Sequence, residues 1–351
     1  MTDSPSLSMR ARLASVALTT LVAASIVGLV LLTWTLRYIF VLFFAAVVLA
    51  VIVWSASELV RKAIPLRRKG AVAVACILIG AIIGVLVMVM GTQVAMQLTT
   101  LRDAIPVASA ALNERFGIDV QQWLNEAPDM TWIRGALGYV PGVFSVVSSI
   151  IMVIAGGLFL ALDPEGHREG FLQLFPLRQR DRLRQTLNNA GSALQRWLVG
   201  QLIAMAVIGV ATAVVLTILG VPSALALGLI AGLLEFIPYI GAIVAYIPLG
   251  IAALGQSLET FWWVLGAYIV IQQTEGNVLM PLVQKRTVEL PPVIALFSLV
   301  AMAMIFGPLG IAFGVPLTVV LLVGLRELYI GEVLGDAAHL ANTPEHADNQ
   351  G

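Results

Sequence analysis

One carboxylate stands alone in an apolar run. Residues 233–249 read LLEFIPYIGAIVAYIPL, with Glu235 as the only charge and Pro238 and Pro248 as helix breakers. On insertion scales an acid in an apolar membrane helix costs about 2.5–3.5 kcal/mol, so it faces a partner or a water-filled cavity. A second polar group follows in QQTEGNVLMP: Gln272, Gln273, Thr274, Glu275, Asn277 and Pro281. Residues three and four apart share a helix face, and Pro281 frees a carbonyl one turn earlier, near Asn277. Two readings stand for both groups. Glu235, Glu275, Asn277, Gln272 and Gln273 contact a solute, cation or proton in a permeation path, or they are hydrated helix ends with their heads in solvent. Gln201 and Gln256 could also contribute to that path, or else read as structural or interfacial. The separation of Glu235 from Glu275 along the chain does not itself pair them.

Other chemistries lack their residues. There is no G-x-x-x-x-G-K-[ST] loop and no dinucleotide fingerprint, and no Ser-His-Asp set or paired-carboxylate enzyme site is evident. The expectation is a non-enzyme without a cofactor, coupled at most to H+ or Na+. The formal net charge is zero, so no basic surface argues for nucleic acid. His167, His339 and His346 lie outside the apolar runs, and the single cysteine, Cys76, reads as a small packed hydrophobe with no metal cluster around it.

The elements that position these residues are membrane helices. The chain is 59% hydrophobic and 11% charged, against about 25% charged in soluble domains. Its apolar runs reach the roughly 20 residues that cross a bilayer. They do not alternate as barrel strands do, so backbone groups in lipid are satisfied within helices. The fold expected is an all-α polytopic integral membrane protein. It has about six full spans plus two broken-helix hairpins, or eight spans with the hairpins counted.

Five segments follow. Residues 1–97 hold a polar tail and three spans, Val16–Thr33 (read as uncleaved), Ile39–Ser57 and Ala71 to about Gly91; a turn at WTLRY separates the first two. Residues 98–142 form an extracytoplasmic amphipathic segment, with Leu98, Leu101, Ile105, Ala108, Leu112 and Phe116 as its stripe. Residues 143–219 hold spans Val143–Leu162 and Leu198–Leu219 around a basic loop, 163–197. Residues 220–326 are the motif-rich core, and 327–351 a disordered cytoplasmic tail. Arginine and lysine in residues 10–12, 58–69 and 163–197 place those segments, and both termini, in the cytoplasm.

The core departs from simple spans. Residues 222–254 are too long for one straight crossing and too short for two, so a hairpin broken near Pro238 fits best, with Gly241 permitting the turn. Gly228 and Gly232 form a G-x-x-x-G step for close packing. Phe261 to about Met280 is a full span. Residues 290–325 form a second hairpin, broken at FGPLGIAFGVP. Pro238, Gly241 and Pro248 in the first are echoed by Pro308, Gly310 and Pro316 in the second. An inverted repeat, as in many transporters, is one reading; chance recurrence of common membrane-helix residues is the other.

The blocks LEFIPYIGAIVAYIP and EGNVLMPLVQKRTVELPPVIALFSL…GPLGIAFGVPL resemble the autoinducer-2 exporter family of bacterial membrane permeases. The matching steps are Pro238 with Gly241, then Glu275, Asn277 and Pro281, then Gly310, Gly314, Pro316 and Leu317. Pro291-Pro292 departs from the family's frequent His-Pro, and AMAM at 301–304 from a Gly pair. The resemblance covers about residues 10–328. It implies export of small polar signal molecules for some members and sodium/proton antiport for others. It also implies a homo-oligomer, a pentamer among the options, in the bacterial cytoplasmic (inner) membrane. The expected partners are the lipid bilayer and a small polar solute or monovalent cation. The leading expectation is therefore a secondary transporter exporting a small hydrophilic solute. The alternatives are a sodium/proton antiporter and a non-transporting scaffold acting through residues 98–142.

Overall fold

The computed structural model describes residues 5–85, 88, 140–281 and 291–333; the expected segment 98–142 lies almost wholly outside them, as does the tail from residue 334. The described residues are helical. Four helices are long and apolar enough to cross a membrane, or five if one bent pair counts as a span.

Helix α1 runs unbroken over Pro5–Ala63, 59 residues, or about 88 Å of rise. This corrects the expected turn at residues 34–38 and the division into two spans. Trp34, Leu36, Arg37 and Tyr38 include no proline, glycine or Asx residue to stop a helix. Arg37 instead stacks its guanidinium over the Trp34 ring at 4.2 Å. The charge parity that put the N-terminus in the cytoplasm depended on that turn. The helix stops where Pro65 disfavours helical backbone at the residue before it. From Val16 to Phe40 it is largely exposed; the buried positions start at Val41.

Helix α2 (Arg68–Val85) packs on α1, with Val72 in one buried cluster with Ala50 and Val53. Helix α3 (Val140–Leu162) lies against α1 through Gly157, where an added Cβ would meet the Ala46 carbonyl at 3.0 Å. Asp163 caps the short α4 (Pro164–Leu172), accepting from the Gly166 N–H at 3.0 Å, and α4 leaves α3 at 90°. The expected basic loop 163–197 is in fact α4 and the first half of α5 (Leu177–Ile218). The polar residues there cover one amphipathic helix and then continue without a break into the span. Arg184 binds both carboxylate oxygens of Glu169 at 3.0 and 2.8 Å, tying α5 back to α4.

The first hairpin is α6 (Ala224–Leu234) and α7 (Ile240–Leu254). Helix α8 (Leu258–Thr274) follows, capped by Ser257, and widens into a π-helical stretch at Glu275–Leu279. The second hairpin is α9 (Pro292–Phe306) and α10 (Pro308–Gly324), which continues as a π-helical turn over Leu325–Val333. Residues 327–333 are thus ordered helix, correcting the expected disordered tail at its near end. Glu327 accepts from Asn189 at 2.7 Å, and its carbonyl from Arg182 at 2.7 Å, fixing this end to α5.

The core joins these pieces through aromatic rings. Phe44 of α1 meets Phe313 of α10, Phe313 meets Phe236 at the first hairpin's tip, and Phe236 meets Trp197 of α5, all at 6.2–6.4 Å between centroids. The two hairpins therefore touch at the tip of the first.

Candidate functional site

The break between α6 and α7 covers residues 235–239, as Pro238 predicts, but its geometry differs from expectation. Gly241 does not supply the turn. Tyr239 does, at φ 66° and ψ −53°, while the Ile240 N–H donates to the Pro238 carbonyl at 2.8 Å. This is a γ-turn of the rare form with positive φ. Gly241 serves close approach instead, since a Cβ there would collide with the Leu234 carbonyl. In the second hairpin Gly307 turns the chain at φ 67°, and a Cβ on Gly310 would collide with the Met302 carbonyl. Pro248 and Pro316 each sit at the ninth residue of the returning arm. The two hairpins share one device: a positive-φ residue turns the chain, and a glycine two or three residues later lets the arms close.

Glu235 lies at the start of this break and is 2% exposed. It got there because α6 packs directly on α5. Cβ atoms on Gly228 and Gly232 would fall 2.5 Å from the Gly209 carbonyl and 2.6 Å from the Met205 carbonyl. The expected G-x-x-x-G step thus brings two backbones together. Helix α5 then presents Gln201, also 2% exposed, whose amide donates to the Glu235 carbonyl at 2.5 Å. On the other side Gln272 of α8 donates to the Glu235 carboxylate at 3.3 Å and to the Tyr268 hydroxyl at 2.9 Å. Tyr268 in turn donates to the Ala242 carbonyl at 3.3 Å. Glu275, one turn beyond Gln272 and half-buried, brings a second carboxylate into electrostatic reach of Glu235.

Of the residues singled out from sequence, Glu235, Gln272 and Glu275 come together. Gln273 and Asn277 are exposed, and Asn277 donates to its own helix at the Gln273 carbonyl, 2.8 Å away. Pro281 follows the π-helical stretch, where the Met280 N–H reaches the Glu275 carbonyl instead of the usual partner. The extra residue per turn there is a form often found at functional sites. Gln201 and Tyr268 were not singled out as site residues. Tyr268 was legible as the residue four before Gln272 on one face; Gln201 required knowing that α6 packs on α5. The polar partners of Glu235 come from α5 and α8 rather than from the second hairpin, which contributes the ring of Phe313 beside the tip.

The site sits toward one end of the bundle. About 26 Å of rise separates Gln201 from Ile218, and about 21 Å separates Gln272 from Leu258. Glu235 therefore lies nearer the end carrying Trp197 and the arginines of α5 than the end carrying Gly220.

Long apolar helices around a twice-broken core define a multi-pass membrane protein. The chain belongs to the AI-2E family of transporters, whose family model, described as "AI-2E family transporter", matches residues 21–330. It is 28% identical over 189 residues to "Putative transport protein YrrI" of Bacillus subtilis (strain 168), covering 54% of this chain and 52% of that protein. It is 25% identical over 229 residues to "AI-2 transport protein TqsA" of Escherichia coli (strain K12), covering 63% and 64%. The matched region spans about half the length of the first of these relatives. The family is described as one of transporters.

Proposed function

We propose that the protein is a secondary transporter exporting a small hydrophilic solute across the bacterial cytoplasmic membrane, with Glu235 as its central polar contact. The observation that carries this reading is a carboxylate held almost fully buried at a helix break, with a single side-chain donor to it among the described residues, the Gln272 amide. An acid placed there without a cation to neutralise it is costly in lipid unless a solute, ion or proton joins it. Glu235 and Gln272 bind, Gln201 holds the broken backbone in place, and Glu275 tunes the charge. The printed name of the Escherichia coli relative makes AI-2 the first solute to test. Transport by Glu235→Gln in reconstituted vesicles tests the reading: strong loss is expected, and unchanged rate and coupling would refute it.

A second reading, monovalent cation/proton antiport, is favoured by the two carboxylates within electrostatic reach of each other. Sodium or lithium addition to everted vesicles, followed with a pH dye, separates the two. The orientation proposed keeps residues 58–69, the arginine-bearing end of α5 and the C-terminus cytoplasmic. A homo-oligomer, with the exposed apolar half of α1 facing lipid or a second copy, completes the proposal.

A further inference from the structure

We infer that the seam between α5, α7 and α8 is the closed half of the permeation route, running from a Gln256–Gly220 clasp to Glu235. The inference rests on the transporter reading above. Three hydroxyls lie along this seam. Thr212 of α5 is 1% exposed, and its Oγ1 has no hydrogen-bond partner among the described residues; the Tyr246 hydroxyl of α7 is likewise buried and unpartnered among them. Tyr268 of α8 is bonded, and its ring lies 6.2 Å from that of Tyr246. Thr212 and Tyr268 line one narrow crevice, with Leu216 and Leu249 on its walls; in this conformation it leaves no room for a water molecule.

An unpaired buried hydroxyl is unfavourable, and a threonine in a helix ordinarily escapes that by donating to its own preceding turn, as Thr217 does to Ala213 at 2.7 Å. Two such orphans in one seam signify a state in which they are hydrated. The seam has the polar continuity a route needs. The Gln272 amide links its two ends, donating both to the Tyr268 hydroxyl and to the Glu235 carboxylate. Toward the other end the hydroxyls lie about 9 Å (Thr212), 12 Å (Tyr246) and 15 Å (Tyr268) from their helix ends. There Gln256, in the α7–α8 turn, donates to the Gly220 carbonyl at 2.6 Å, closing the turn over the end of α5. The described residues that line the crevice are neutral, so it suits water and small hydrogen-bonding solutes, with a buried charge met at Glu235.

Cysteine accessibility tests this directly, because Cys76→Ser removes the native thiol. In that background, reconstituted Thr212→Cys and Leu216→Cys are exposed to the membrane-impermeant reagent MTSET. Val214→Cys, on the exposed face of α5, reports lipid, and Glu259→Cys reports solvent. Thiols react as thiolates, which form only where water reaches, so Thr212→Cys or Leu216→Cys is expected to react at least about tenfold faster than Val214→Cys. Adding Gln256→Ala is expected to raise that rate further. Labelling of neither probe above Val214→Cys, with or without Gln256→Ala, would overturn the route. Labelling does not require turnover. If it occurs while Glu235→Gln transports normally, the route stands and the role of Glu235 falls.

Discussion

Helix α6 is held on α5 by the absence of side chains, and replacing Gly228 with alanine measures how tightly. The new Cβ would lie 2.5 Å from the Gly209 carbonyl oxygen, 2.6 Å from the Ala213 Cβ and 2.7 Å from the Ala213 nitrogen. None of these atoms is the movable end of a side chain. Restoring ordinary contact near 3.4 Å therefore requires the helices to part by about 0.9 Å, or their backbones to distort. Overpacking of this kind costs about 1–3 kcal/mol, and the rigid surroundings favour the upper end. Alanine returns about 1 kcal/mol of helix propensity, leaving a net loss of about 2 kcal/mol. Gly266 of α8 is the matched control: it has nothing within 4 Å of an added Cβ, so Gly266→Ala gains about 1 kcal/mol. The two substitutions, identical in chemistry, are expected to differ by about 3 kcal/mol in unfolding measured in detergent. Because Glu235 is bound to Gln201 across this interface, Gly228→Ala should also reduce transport. Equal stability of the two variants would refute the close packing of α6 on α5.

Other outcomes follow from the same geometry. Tyr239→Gly relieves a positive-φ backbone that strains a bulky residue by about 1–3 kcal/mol and should raise the unfolding midpoint; a lowered midpoint would count against the γ-turn. Gln201→Leu leaves the buried Glu235 carbonyl without its donor and is expected to destabilise by about 1–3 kcal/mol, while Gln201→Asn, too short to reach, should behave similarly in the same melt. Hydrogen bonds from Arg184 hold the Glu169 carboxyl below its ordinary range. Its folded pKa lies below its unfolded one, so the contribution is complete above about pH 4.3 and is lost as pH falls through the folded value. Glu169→Gln should flatten the acid limb of a stability–pH curve and lessen its salt dependence; an unchanged curve would show that this exposed pair contributes nothing measurable.

Composition and run length alone fixed the class, because only helices of bilayer length satisfy their own backbone in lipid. The two hairpins were legible for a similarly local reason: proline at residues 238 and 308 removes a donor wherever the chain goes. Glu235 was legible because an acid in an apolar run needs a partner. Its partners were not. Gln201, Gln272 and Tyr268 reach it or one another only after α6 closes on α5 and α8 passes alongside, and sequence distance does not encode that packing. The division of α1 failed for the complementary reason. Interface-type residues at 34–38 suggest a turn, yet none of them breaks a helix, and local propensity carried the helix through. The role of Gly241 was likewise settled only in three dimensions, since a glycine kept for turning and one kept for a neighbouring carbonyl look alike until the carbonyl is in place.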